Sequence, residues 1–158
     1  MNIQGVVVRE GTRDDWMSAK QLAWTCFNEF DAQDYTKDGA EHFLNFLKDE
    51  KLTQMFYIGS YRLFVASLYG RIVGMLTLRE RAHISLLFVD GNCQRNGIGS
   101  ALVRLAAQMI ADEARGDTMS VHASPYAVPF YEKLGFTATE REKEQDGIRF
   151  TPMLLELK

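Results

Sequence analysis

The chain has 158 residues, 46% of them hydrophobic and 25% charged, with a formal net charge of −3. This size and balance suit one globular domain over 1–158 with a sizeable core, and the slight acidity argues against a nucleic-acid partner. No apolar run approaches the roughly 20 residues of a membrane span, and residues 1–10 lack the basic and apolar blocks of a signal peptide. Cys26 and Cys93 stand far apart and form no metal-type pair, so the expectation is free thiols, no metal, no membrane and a cytoplasmic protein.

Residues 3–9, with Val6, Val7 and Val8, read as a first strand. Thr12 suits an N-cap with Asp14 and Asp15 in the first helical turn. The spacing of Trp16, Ala19, Ala23, Cys26 and Phe27 carries that helix to about Phe30. A second helix fits 38–49, with Phe43, Phe46 and Leu47 inward. The segment 29–50 is acidic, with Glu29, Asp31, Asp34, Asp38, Glu41, Asp49 and Glu50 against Lys37 and Lys48, and it is also aromatic. Such a stretch is either a solvated helix face or a wall that attracts a cationic amine.

Strands follow over 61–68 and 72–78, joined by a turn at Tyr69-Gly70-Arg71. Gly74 inside the second arm predicts a bulge or a close approach. After a charged turn at 79–81, Ile84, Leu86 and Phe88 alternate with Ser85 and Leu87 in a strand over 83–89. A long helix runs from Ile98 to about Arg115, with Gly116 as a candidate C-cap. A short strand over 118–122 leads to a helix opened by Ser124 as N-cap and Pro125 as its first residue. The chain closes with a hairpin of 136–144 and 147–157 about Gln145-Asp146-Gly147, and Pro152 marks a bulge or an edge. The order β-α-α-β-β-β-α-β-α-β-β describes a mixed α/β domain with a mainly antiparallel sheet and one right-handed β-α-β unit.

Within that unit, Gln94-Arg95-Asn96-Gly97-Ile98-Gly99 joins strand to helix. A helix N-terminus leaves four amides unpaired and carries partial positive charge, and glycine lets a ligand approach the backbone. The result is a phosphate cradle, although an ordinary tight turn has the same glycines.

The same six residues resemble the Q/R-x-x-G-x-G/A acetyl-CoA motif of GNAT-type N-acetyltransferases. Phe130 to Phe136, Phe-Tyr-Glu-Lys-Leu-Gly-Phe, is similar to that family's second signature. The resemblance implies a GNAT-like fold, with a twisted sheet of about seven strands and about four helices, and residues 21–59 as the variable substrate-side region. It implies acetyl-CoA as co-substrate, with the pyrophosphate on the backbone amides of Arg95, Asn96, Gly97, Ile98, Gly99 and Ser100, and Gln94 also at the cofactor. Pantetheine would run along Leu87, Phe88 and Val89, with Ser124, Tyr126 and Tyr131 also at the cofactor. A bulge in that strand and its divergence from 118–122 would open the thioester slot. Tyr131 occupies the general-acid position. Ser124 stands where many members have asparagine, Cys93 replaces a common aromatic and Gly91 a common proline.

Acetyl transfer to an amine needs a neutral nitrogen, so a base is sought. Glu80 and His83 lie at the start of the central strand and His122 ends its neighbour, yet each also fits a purely structural place. The acceptor is a small-molecule or peptide amine, with a cationic one favoured by the acidic segment. A catalytically idle acyl-CoA-binding module is the competing reading. A nucleotide-binding domain is disfavoured because the G-x-x-x-x-G-K-[S/T] pattern is missing. The resemblance also admits a homodimer through an edge strand or the last hairpin.

Overall fold

The computed structural model describes residues 4–157, so residue 3 of the expected first strand lies outside them. In order come β1 (Val6–Glu10), α1 (Trp16–Cys26), α2 (Lys37–Lys48), α3 (Glu50–Tyr57), β2 (Tyr61–Leu68), β3 (Arg71–Arg79) and β4 (His83–Val89). Then follow α4 (Ile98–Asp112), β5 (Thr118–Ala123), α5 (Val128–Lys133), β6 (Thr137–Ala138), β7 (Lys143–Gln145) and β8 (Ile148–Glu156). The sheet order is β1-β2-β3-β4-β5-β8-β6, with β7 also on β8. Every pairing is antiparallel except β4 with β5, the two strands that α4 connects.

The sheet separates two cores. On one face Ile98, Leu102, Val103, Ala106 and Ile110 of α4 pack with Tyr131 and Phe136 on Leu76, Ile84 and Val121. On the other, Trp16, Ala19, Leu22, Ala23 and Cys26 of α1 pack with Leu47 and Leu52 on Leu63, Val65 and Met75. The period-3.6 pattern on the helices and the period-2 pattern on the strands dictate this layering.

Both irregularities expected at Gly74 are present. Ala66 faces Gly74 while Ser67 faces Ile72, so Val73 is an extra residue. A Cβ on Gly74 would stand 2.9 Å from Ile98 Cγ2, which is how closely α4 crosses the strand. A second bulge falls in β4: Thr77 faces Leu86 and Leu78 faces Ile84, leaving Ser85 extra.

Several expectations are corrected. The first helix does not run unbroken to Phe30: α1 ends at Cys26, widens into a π-turn over Phe27–Asp31 and tightens into a 3-10 turn over Ala32–Asp34. The helix α3 is additional, capped by Asp49, whose carboxylate accepts from Lys51 N at 2.9 Å. Gly116 does not cap α4. The helix closes in a Schellman arrangement at Ala114, φ 54°, with Arg115 N on Ile110 O and Ala114 N on Ala111 O. Ser124 is not an N-cap and Pro125 is not helical. They lie in a turn in which Ser124 O accepts from Ala127 N and Val128 N, and α5 begins four residues after Ser124, with Pro129 in its first turn. The last hairpin's first arm is broken into β6 and β7, so the described sheet has eight strands, flanked by five α-helices. Pro152 sits inside the sheet, opposite His122 on the β5 side. Its other side faces the gap between β6 and β7, where its carbonyl accepts from Thr139 N at 2.9 Å. A strand residue turns its N–H and C=O to the same side, so the missing proline donor falls where no ladder partner needs it.

Candidate acetyl-transfer cleft

The parallel strands β4 and β5 pair only at His83 with Ser120 and Ile84 with Val121. Beyond Ile84 they splay, and the opening leads into a cleft of about 1240 Å³ bounded by the α1–α2 segment, the start of α4, α5 and the β7–β8 hairpin. Leu87 and Val89 turn to the α4–α5 face, while Leu86 and Phe88 turn to the α1–α3 face. Phe88 packs edge-on against Phe43 at 5.9 Å, and both line the cleft.

The turn before α4 is built by left-handed residues: Arg95 has φ 65° and Gly97 φ 81°. Gln94 Nε2 donates to Val89 O at 3.2 Å, and Asn96 Nδ2 donates to Cys93 O and Gln94 O at 3.2 and 3.0 Å. These two side chains therefore hold the loop's shape, and Gln94, Arg95, Gly97, Ile98, Gly99 and Ser100 line the cleft while Asn96 does not. Gly99 permits α5 to close in, since a Cβ there would meet the Phe130 ring at 3.2 Å. Cys93 is buried beneath the loop and borders the cleft. The unpaired amides at the start of the 15-residue α4 fit a diphosphate.

Tyr131 lines the cleft from α5, 4% exposed, with its ring edge-on to Phe130 and Phe136. Burial, reinforced by the negative charge of Asp31, holds its phenol well above the ordinary range and so protonated. Ser124 and Tyr126 line the same wall, Tyr126 at its exposed rim.

The base candidates separate. His83 Nδ1 lies 2.8 Å from Ser120 Oγ and its ring stands edge-on to His122 at 4.7 Å. Burial, with Arg79 and His122 adding to it, lowers its pKa to about 4, so it is neutral at physiological pH. His122 stacks on Phe150 at 4.4 Å and is lowered too, by burial and then by Arg79 and Lys143, against Glu140. Both imidazoles line the cleft. Glu80 does not: it is exposed at φ 55°, paired with Arg79 at 2.8 Å, and lies outside the lining.

Of the acidic stretch, Asp31 reaches the cleft, beside Phe30, Tyr35, Phe43 and Phe46. Asp49 caps α3, and Glu29 Oε1 lies over the backbone of Gly91. Asp38, Glu41 and Glu50 are exposed. Sequence reasoning missed Ser85, whose hydroxyl accepts from Tyr61 inside the cleft wall. The signal was present as a lone serine in an apolar strand.

Residues 31–157 match the family model described as Acetyltransferase (GNAT) domain. The chain belongs to this family. It is 29% identical to N-alpha-acetyltransferase 30 of Dictyostelium discoideum, over 60% of this chain and 61% of the relative. It is 32% identical to the uncharacterized N-acetyltransferase YafP of Escherichia coli K12, over 61% of each chain. The chain thus spans about three fifths of the length of these curated relatives. Among solved structures, a GCN5-related N-acetyltransferase from Rhodopseudomonas palustris superposes with a TM-score of 0.82 at 20% identity, covering 99% of this chain and 98% of that one. PaiA N-acetyltransferase from Thermoplasma acidophilum, in complex with coenzyme A, gives 0.77 at 16% identity, covering 96% and 98%. Among the described residues no His/Cys/Asp/Glu group suits a metal ion, and no helix is long and apolar enough to cross a membrane.

Proposed function

We propose that this chain moves the acetyl group of acetyl-CoA directly to a primary amine within a ternary complex. The observation that carries the reading is the continuity of one cleft, from the amides of Arg95 to Ser100, through the β4–β5 opening, to Tyr131. The pyrophosphate lies on those amides, with Arg95 adding charge, and pantetheine passes along the backbone of residues 87–89. The acceptor enters from the α1–α2 side, where the Asp31 carboxylate attracts an ammonium and the aromatic wall of Phe30, Phe43 and Phe46 favours its neutral form by desolvation.

The amine lone pair bonds to the thioester carbon while the C=O π pair moves to oxygen. The pair then returns and the C–S bond breaks. The nitrogen gives up its proton to water in the cleft, beside the His83 imidazole, which is neutral at working pH. Tyr131 donates a hydrogen bond to the departing sulfur. The sulfur leaves as a thiolate and takes up a proton from solvent.

Calorimetry with acetyl-CoA tests the cradle, comparing wild type with Ser100→Glu. Glutamate in the first turn of α4 is compatible with the helix but sets a negative charge against the phosphates. Binding by wild type and its loss in a folded variant support the reading, and thiol release with a panel of amines then identifies the acceptor. A wild type that does not bind acetyl-CoA overturns it.

A further inference from the structure

A chain of hydroxyls crosses the apolar core beneath the cleft. Thr77 is fully buried and Tyr61 is 1% exposed. Tyr61 Oη lies 2.7 Å from Thr77 Oγ1 and donates to Ser85 Oγ at 2.9 Å. Each hydroxyl owns one proton. Tyr61 directs its proton to Ser85, so Thr77 donates to Tyr61, and the proton of Ser85 must turn away from Tyr61. The cleft, which Ser85 lines, is the direction that remains. Burial raises the Tyr61 phenol and keeps it protonated, so the order of donors does not reverse at physiological pH.

Two further features single out Ser85. It is the extra residue of the β4 bulge, which turns Ser85 and Leu86 to the same face. It also stands immediately beyond the last β4–β5 pair, Ile84 with Val121, at the apex of the splayed strands. Packing alone does not call for three hydroxyls here, because apolar side chains fill such a layer without the cost of desolvating polar groups.

We propose that the Ser85 hydroxyl donates a hydrogen bond to the acetyl carbonyl oxygen at the apex of the cleft, with Tyr61 and Thr77 as positioning residues. This rests on the acetyl-CoA reading above. As the amine bonds to carbon and the π pair moves to oxygen, Ser85 faces the developing charge. It forms no covalent bond and keeps its proton when the pair returns and the C–S bond breaks. A hydroxyl already accepting from Tyr61 is the stronger donor for it.

The test is isotope-edited infrared spectroscopy of acetyl-CoA carrying ¹³C at the thioester carbonyl, bound to the full chain, with calorimetry on the same samples. The expected result is a carbonyl stretch lowered on binding wild type and returned toward the free-ligand value in Ser85→Ala, with acetyl-CoA still bound. Tyr61→Phe, which touches no substrate, leaves an intermediate and broadened band. Ser85→Cys, close in size and a weak donor, repeats the loss if the alanine variant does not fold. A wild-type band in both Ser85 variants overturns the proposal while leaving acetyl-CoA binding intact. Absence of acetyl-CoA binding by wild type overturns the underlying reading, and the Ser85 role with it.

Discussion

The two ends of the cleft are built by opposite means. At the cofactor end, ten consecutive residues from Asp90 to Gly99 close a loop by their own short-range bonds: Asp90 caps Asn92 N, and Asn96 ties back to Cys93 O and Gln94 O. At the acceptor end, local bonds such as Gly39 N on Thr36 Oγ1 are joined by contacts from far along the chain. Tyr35 bridges to Ile148, Thr36 N reaches Gly147 O, and Phe43 stacks on Phe27 beneath the turn that carries Asp31. The loop before α4 is shaped largely by bonds among its own residues, with Asp90 N anchored to Val73 O at 2.8 Å. The acceptor wall is assembled from segments that can vary independently of it.

Variants on each side should therefore separate cofactor binding from acceptor use. The largest effect is expected at the junction of the two: Tyr131→Phe lowers turnover by about 10²-fold with acetyl-CoA affinity unchanged, as removing a donor to developing charge does. Unaltered steady-state kinetics would remove Tyr131 from the chemistry. At the cofactor end, Ser100→Glu weakens acetyl-CoA binding by about 10- to 100-fold in calorimetry, through lost and opposed charge-assisted bonds. An unchanged Kd places the phosphates elsewhere.

At the acceptor end, Gly147→Ala puts a Cβ onto Thr36 Oγ1 at a residue with φ 79°. A cost of about 1–3 kcal/mol is expected from such strain. Faster hydrogen exchange over 145–148 with acetyl-CoA binding unchanged shows the hairpin tip released from the α2 end. Equal perturbation of both ends shows that they are not separable. Asp31→Asn raises KM for a cationic amine by about 3- to 10-fold with little change in kcat, as loss of a partly solvated charge pair does. An unchanged KM assigns that carboxylate to solvation.

A pH dependence is expected as well. The native pKa of His83 is lowered from 6.5 to about 4, so folding favours its neutral form. Above about 6.5 native and unfolded states hold the same protons at this site. As pH falls from there to about 4, the unfolded state gains a proton first and stability declines. His122 acts in the same direction. Urea midpoints between pH 7 and 4 should fall less steeply in His83→Gln, and parallel curves remove His83 from the titration.

The elements legible in the sequence were those whose residues satisfy one another locally. The period-2 run of β4, the glycine turn and the apolar stripe of α4 are read from adjacent positions, as is the Gly135 stop after Leu134. The misread boundaries have contextual causes. The π-turn after Cys26 is stabilised by α1 lying across Val89 O, where Cys26 Sγ donates at 3.4 Å, a contact 63 residues away in sequence. Ser124 has the chemistry of a cap, but residues 125–127 form a turn and α5 starts only at Val128. Glu80 is placed beside the central strand by sequence, and a left-handed turn swings it to Arg79 and solvent.

By itself the sequence determined the alternation of helix and strand, the glycine turn before α4 and the aromatic position of Tyr131, because each depends on residue type and near-neighbour spacing. Only the tertiary structure decided which polar groups meet. The splay of β4 from β5, the neutral pair His83 and His122, the approach of Asp31 toward Tyr131 and the Thr77–Tyr61–Ser85 chain all join residues from different strands and helices. The β4 bulge at Ser85 contributes to the last of these, since one extra residue in a ladder shifts the facing of the side chains beyond it relative to the partner strand.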